Sequence, residues 1–322
     1  MLRDRLISAS FLISITVLLL WLDIQAPIRG VSGIWLLPLL LFLSLGTAFD
    51  LASMMRTFGR SVERKWVIIA TGLVTLSPCV PLLWPLAGFT YPEDCPIGTL
   101  GWILVGIVSA VFIILGREIL GYRSGRGGAL DRTLIASFAS VYVGVPMALL
   151  VVIRQMGVTT GATESLTETP TEFLGGALWG ILALVSMVSA TKSSDAGAYF
   201  TGKAIGRNKL IPHLSPGKTW EGAAGGIATA IAVSYGCSHW LIPSITSLQS
   251  EPPWWGPAVF GTTCAVMGMI GDLAESMVKR ETGVKDSGAW LPGLGGVWDV
   301  TDSLIAAVLP AWLMLAAGLL GS

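Results

Sequence analysis

Nine stretches of the chain carry no Asp, Glu, Lys or Arg: 6–22, 30–49, 66–92, 95–116, 133–153, 173–191, 222–250, 252–271 and 303–322. A bilayer hydrocarbon core of about 30 Å takes roughly 20 helical residues, and every stretch is near that length or longer. Inside lipid, only a helix satisfies its own backbone over such a run. A soluble helical protein would instead place charges along one face of every helix. Only 12% of the 322 residues are charged and 53% are hydrophobic, against about 25% charged in ordinary soluble domains. The expected fold is all-α, a polytopic integral membrane protein with about nine transmembrane helices. Pro78, Pro81, Pro85 and Pro243 sit in the two longest stretches and shorten the regular helix expected there.

Orientation follows from Lys and Arg. With the N-terminus on the cytoplasmic side, 18 of the 20 basic residues fall inside and only Arg29 and Arg154 outside. The outside loops carry Glu93, Asp94, Glu164, Glu168, Glu172 and Glu251 instead. The inside set includes Arg56, Arg60, Arg117, Arg123, Arg126 and Arg132, and then the lysines and arginines of 192–218 and 279–285. The expected location is an inner, plasma-type membrane with the active site on its cytoplasmic side. The first apolar stretch ends at Trp21-Leu22-Asp23 without a small-residue cleavage pattern and is expected to be a retained helix.

Residues 1–153 are expected to form an N-terminal region of about five spans and 173–322 a C-terminal region of about four, with cytoplasmic motifs at 191–222 and 271–303. The 154–172 segment reads as a solvated connector. Cys79, Cys95, Cys237 and Cys264 form no CxxC pair and are expected to pack rather than bind zinc. His213 and His239 are too few for a histidine metal site. A balanced total of 20 acidic and 20 basic residues excludes a nucleic-acid-binding basic domain. No internal repeat is evident.

Two inside segments concentrate charge and glycine. If the span ending at Gly271 continues as a helix, Asp272, Glu275, Ser276 and Lys279 share one face. Beyond it, Pro292, Gly293, Gly295 and Gly296 force a turn, and Asp299 and Asp302 stand one helical turn apart at the start of the last span. Simple structural roles, with Asp299 or Asp302 capping and Asp272 paired to Lys279, account for one or two of these carboxylates. Four within 31 residues, Asp272, Asp286, Asp299 and Asp302, beside Lys279, Arg280 and Lys285, fit Mg²⁺ held by carboxylates together with substrate phosphates. Glycine-rich backbone offers N–H groups to phosphate. In the other segment Lys203, Arg207, Lys209 and Lys218 supply positive charge, and Ser215-Pro216 with Glu221 beyond resembles a helix start. A Walker A loop is excluded, because Pro212 stands where its first glycine would be.

The stretch 276–302 resembles the signature of phosphatidate cytidylyltransferases (CDP-diacylglycerol synthases), S-x-x-K-R-x(4)-K-D-x-G-x(2)-L-P-G-H-G-G-x-x-D-R-x-D. Ser276, Lys279, Arg280, Lys285, Asp286, Gly288, Leu291, Pro292, Gly293, Gly295, Gly296, Asp299 and Asp302 all match. Asp195-Ala-Gly-Ala-Tyr199 and Ser215-Pro-x-Lys218-Thr219-x-Glu221-Gly222 are similar to two further motifs of that family. Three positions depart from it: Leu294 replaces a His, Val300 an Arg and Gly217 a Lys. The resemblance implies the reaction CTP + phosphatidate → CDP-diacylglycerol + pyrophosphate, with Mg²⁺ as cofactor and a second, monovalent cation left open. It implies catalytic roles for Lys218, Lys279, Arg280, Lys285 and Asp286, and substrate contacts at Asp195, Tyr199, Ser215, Thr219, Glu221, Ser276, Gly293, Gly295 and Gly296. Its metal set is Asp272, Asp286, Asp299 and Asp302. The implied partners are CTP, phosphatidate and membrane lipids, with no nucleic acid, and a homodimer is left open. The alternatives are a membrane homologue that has lost catalysis and serves as transporter or scaffold, and a CTP-dependent transferase acting on another lipid phosphate.

Overall fold

The computed structural model describes residues 2–29, 31–59, 62–92, 95–123, 127–157, 170–246 and 251–321, with backbone alone at 2, 5 and 170–177. Arg60, Glu93, Asp94, Arg126, Glu164, Glu168 and most of the 154–172 connector lie outside the described residues. Nine long helices among the described residues fall on the nine uncharged stretches: α1 (Leu2–Gln25), α2 (Leu37–Thr57), α3 (Arg64–Leu76), α4 (Gly98–Leu120), α5 (Ala129–Gln155), α6 (Pro170–Ile205), α7 (Trp220–Gly236), α8 (Gly256–Thr282) and α9 (Trp298–Ala316). By length and composition, seven of the helical segments can cross a membrane. The protein is therefore a polytopic membrane protein.

The prolines act where the sequence placed them. Helix α3 stops before Pro78 and runs on as a 3-10 segment, Ser77–Leu82, and a short helix, Leu83–Ala87. Helix α7 gives way to a π turn, Cys237–Leu241, and one further turn containing Pro243. Cys79, Cys237 and Cys264 are buried, and all four cysteines are free thiols.

The chain divides into two compact units. The first comprises Met1–Val152 and the returning segment Glu281–Thr301, with Ala48, Val67, Ala70, Val74 and Val143 fully buried. Ser44 and Thr75 share a 2.7 Å hydrogen bond between α2 and α3, which satisfies hydroxyls that lipid cannot. The second comprises Ile153–Thr159, Glu164–Arg280 and Asp302–Ser322, around Met187, Ala190, Ala230, Phe260, Cys264 and Ala307.

The second unit departs from the expected plan of spans and loops. Helix α6 is 36 residues long, about 54 Å at 1.5 Å per residue and well over the roughly 30 Å of hydrocarbon. Its last fourteen residues, 192–205, are the segment expected to be a polar connection. Charged side chains at a helix end do not stop the helix; they only take it out of the lipid. Ser215–Thr219 is likewise a strand, β2, paired antiparallel with β1 (Lys209–Ile211). The helix start placed at Ser215-Pro216 is corrected to Trp220, with Thr219 as N-cap accepting the Gly222 N–H at 3.1 Å. Pro216 is tolerated because a two-stranded ribbon consists only of edges.

Helices α6 and α7 approach closely. A Cβ on Gly225 would stand 2.4 Å from the Thr201 Cβ, whereas one on Gly116 of α4 would meet nothing within 4 Å. Gly225→Ala is expected to lower the melting temperature in detergent, through overpacking worth about 1–3 kcal/mol. Gly116→Ala is expected to leave it unchanged or raise it. Equal melting temperatures for Gly225→Ala and the parent would contradict this packing.

Candidate active site

The site in the second unit is assembled by the ends of α6 and α8, the β-hairpin, and Asp302 and Ser303 of α9. On α6, Lys192 donates to Ser303 Oγ at 2.7 Å and lies 3.6 Å from Asp195 and 3.9 Å from Asp302. Ser303 Oγ also reaches Asp195 at 3.4 Å, and its N–H donates to Asp302 Oδ1 at 2.6 Å. On the hairpin, Lys218 pairs with Asp272 at 2.9 Å and reaches the Met269 carbonyl at 3.4 Å. The Asp272–Lys279 pair considered from sequence does not form. Lys279 instead forms an ion pair with Glu275 one turn back at 3.0 Å. Helix α8 continues through Asp272, Glu275, Ser276 and Lys279, which meets the condition under which they share a face.

The close approach of α8 to α9 sets the spacing of the carboxylates. A Cβ on Gly271 would stand 2.3 Å from the Asp302 carbonyl oxygen, so only glycine permits this contact. As a result the carboxylates of Asp272, Glu275 and Asp302 lie within 4.8 Å of one another. Glu275 is 3% exposed and Asp302 6%. Two anions at that separation repel by roughly 3 kcal/mol even at an effective dielectric of about 20. The lysines offset part of this. Three clustered hard oxygen donors match what Mg²⁺ takes from protein, so the residues present fit the ion.

A cavity of about 440 Å³ opens beside this cluster, lined by Asp195, Tyr199, Lys203, Ser215, Lys218, Thr219 and Asp272 among others. It is within the size range of small-ligand sites. Lys203 lies over the Tyr199 ring, 5.8 Å from its centre. Glu221 does not line it. Its carboxylate accepts from the Arg207 N–H at 3.1 Å and the Asn208 side chain at 2.7 Å. Backbone N–H groups, its own first and then those of Arg207 and Asn208, hold its carboxyl below the usual range. Arg280 Nε donates to the Leu214 carbonyl at 3.3 Å, bracing the hairpin turn. Ser276 is half-buried on α8.

The remaining signature residues belong to the first unit. Lys285 and Asp286 are exposed. Leu291 and Gly295 close the turn with reciprocal 3.0 Å backbone bonds, and Gly293 and Gly295 take φ of 79° and 99°, the left-handed region that glycine enters freely. Asp299 Oδ2 accepts from the Gly296 N–H at 2.6 Å, the Ser287 N–H at 3.1 Å and Ser287 Oγ at 2.8 Å. The N–H groups of Gly295 and Gly296, offered to phosphate on sequence grounds, are engaged within the turn. Leu294 and Val300 are half-buried.

Sequence reasoning missed the residue that organises this turn. Asp50, on α2 and 1% exposed, accepts from the Val297 N–H at 2.7 Å and the Trp298 N–H at 3.2 Å. These are donors that a helix start leaves without partners. A Cβ on Gly288 would stand 2.4 Å from Asp50 Oδ1, and one on Gly296 2.4 Å from Oδ2. Two signature glycines are thereby explained by a carboxylate more than two hundred residues earlier. Its signal was present: an ionisable residue directly after an uncharged stretch, inside an apolar helix. Glu275, seen only as sharing a face with Asp272, and Ser303 were also missed.

A sequence model described as "Cytidylyltransferase family" matches residues 3–317. A phosphatidate cytidylyltransferase of Brucella suis is 43% identical over 135 residues, 42% of this chain and 47% of that protein. One of Haemophilus influenzae is 42% identical over 129 residues, 40% of this chain and 44% of that protein. One of Mycobacterium bovis is 37% identical over 129 residues, 40% of each chain. The chain thus spans about half the length of the curated relatives it matches.

Removing Asp50 strands two buried N–H groups at about 1–3 kcal/mol each. Asp50→Ala is expected to lower the melting temperature and to speed tryptic cleavage after the exposed Lys285. Asp50→Asn, which keeps one acceptor oxygen, is expected to fall between it and the parent. An alanine variant as protease-resistant as the parent would contradict the anchoring role.

Proposed function

We propose that this chain, which belongs to the cytidylyltransferase family, transfers a cytidylyl group from CTP to phosphatidate, giving CDP-diacylglycerol and pyrophosphate. A phosphate oxygen of the lipid forms a bond to the α-phosphorus of CTP as the bond from that phosphorus to the α–β bridging oxygen breaks, which releases pyrophosphate. Both substrates are polyanions, so the protein's task is positioning and charge stabilisation rather than covalent chemistry. The reading is carried by one observation: Lys218, paired with Asp272 at 2.9 Å, stands where the small-ligand-sized cavity meets the carboxylate cluster.

In this reading Asp272, Glu275 and Asp302 hold Mg²⁺, which when bound offsets phosphate charge and polarises a phosphoryl oxygen. Lys218 and Lys203 contact phosphate oxygens inside the cavity. Lys192 and Ser303 hold the Asp195 and Asp302 carboxylates in place, and Lys279 does the same for Glu275. Asp299, with Ser287 and Asp50, shapes the turn that carries Lys285 and Asp286. The acyl chains stay in the bilayer and CTP enters from the cytoplasmic face of a plasma-type membrane, a reading supported by the weight of basic residues on one side.

Incorporation of radiolabelled CTP into lipid by purified protein tests this. Asp272→Asn and Asp302→Asn are each expected to reduce turnover by about a hundredfold or more, the scale of losing one element of transition-state charge stabilisation, here through the ion they hold. Lys218→Ala is expected to raise KM for CTP and lower turnover. Undiminished Mg²⁺-dependent incorporation in both Asn variants would overturn the metal assignment. Leu294 and Val300 stand where the signature this stretch resembles has His and Arg, so polyprenyl phosphate and other lipid phosphates are included as acceptors. Labelling of one of these with no labelling of phosphatidate would reassign the substrate.

A further inference from the structure

We propose that a second groove, in the first unit, binds the phosphate headgroup of an anionic phospholipid whose acyl chains lie along α4. It shares no lining residue with the cavity described above and does not rest on the transferase reading. The groove has a volume of about 710 Å³ and lies where α2 ends, α3 begins, α4 ends and α5 begins. All four are apolar spans, so their shared end sits at headgroup depth.

The polar wall consists of Arg56, Glu63, Arg117, Glu118, Arg123 and Arg132, four cations against two anions. Both carboxylates are already engaged. Glu63 takes Arg117 at 2.8 Å, and Glu118 Oε2 takes Arg132 Nε at 3.0 Å and its terminal nitrogen at 2.8 Å. Arg56 and Arg123 have no hydrogen-bond or ion-pair partner among the described residues. Positive-inside bias accounts for basic residues on this side of the membrane, but not for two guanidinium groups facing one groove uncommitted. Guanidinium is the group that grips phosphate with paired donors.

The apolar surroundings select a lipid over a free anion. Leu120, a wall residue, is 89% exposed. Below it, Leu104, Val108, Phe112, Leu115 and Ile119 form an exposed stripe on one face of α4, at the spacing that lines a single helix side. A cationic cup above an apolar stripe matches the two ends of a glycerophospholipid. A soluble phosphate needs only the cup.

The test uses purified full-length protein, delipidated and offered phosphatidylglycerol and phosphatidylcholine of identical acyl chains, with bound lipid counted by native mass spectrometry. The protein is expected to retain phosphatidylglycerol preferentially. The double variant Arg56→Gln/Arg123→Gln is expected to lose about tenfold of that retention, the scale of one or two charged hydrogen bonds, with phosphatidylcholine unaffected. In the unmutated protein, rising salt is expected to release phosphatidylglycerol selectively, a result that does not depend on the variant folding. Equal retention of the two lipids, or release of phosphatidylglycerol by millimolar inorganic phosphate, would overturn the proposal, the latter by identifying a soluble anion as the ligand.

Discussion

Buried negative charge at the ends of membrane spans is the constraint from which the second unit takes its form. Glu275 and Asp302 are almost fully out of water, and with Asp272 they place three carboxylates within 4.8 Å of one another. Carboxylates so placed are costly unless positive charge meets them. Three lysines from different segments arrive to do so: Lys192 from α6, Lys218 from the hairpin and Lys279 from α8 itself. The overlong α6, the small β-hairpin and the glycine contact between α8 and α9 all serve to deliver those groups.

The first unit solves a related problem by different means. There the unpaired donors of a helix start, rather than surplus anions, need partners. Asp50 and Asp299 supply them, and the glycines at 288 and 296 leave the space that the Asp50 carboxylate occupies. The signature's spacing of Gly288, Gly296 and Asp299, together with Ser287, is in this view a way of building a rigid polar turn against an apolar helix.

Much of the fold could be read from charge alone, because lipid leaves so few options: each uncharged stretch became a helix, and the prolines ended regular helix where expected. The polar segments were harder. Sequence showed that Lys192 to Lys209 leaves the lipid, but leaving lipid does not end a helix, and α6 runs on to Ile205. The Ser215–Thr219 strand was hidden because hairpin pairing depends on a partner segment, whereas Ser-Pro followed by an acid is a local helix-start pattern. Within the site, Asp272 and Asp302 were identified by their position at span ends. Glu275 was set aside as a helical neighbour, since only the closeness of α8 and α9 turns it inward to the other two. Asp50 was invisible to any reading confined to the signature, because its partners lie more than two hundred residues away. Lys218–Asp272 pairing was missed for the same reason: sequence neighbours suggested Lys279, and the tertiary fold supplied a different lysine.

The central claim, that Asp272, Glu275 and Asp302 together form a seat for one divalent cation, is tested most directly by titrating purified protein with Mn²⁺ and following the free ion by electron paramagnetic resonance. The account predicts a tight site that Mg²⁺ competes for and that Asp302→Asn abolishes while the helical circular-dichroism signal stays intact. Unchanged Mn²⁺ binding in that variant would contradict it.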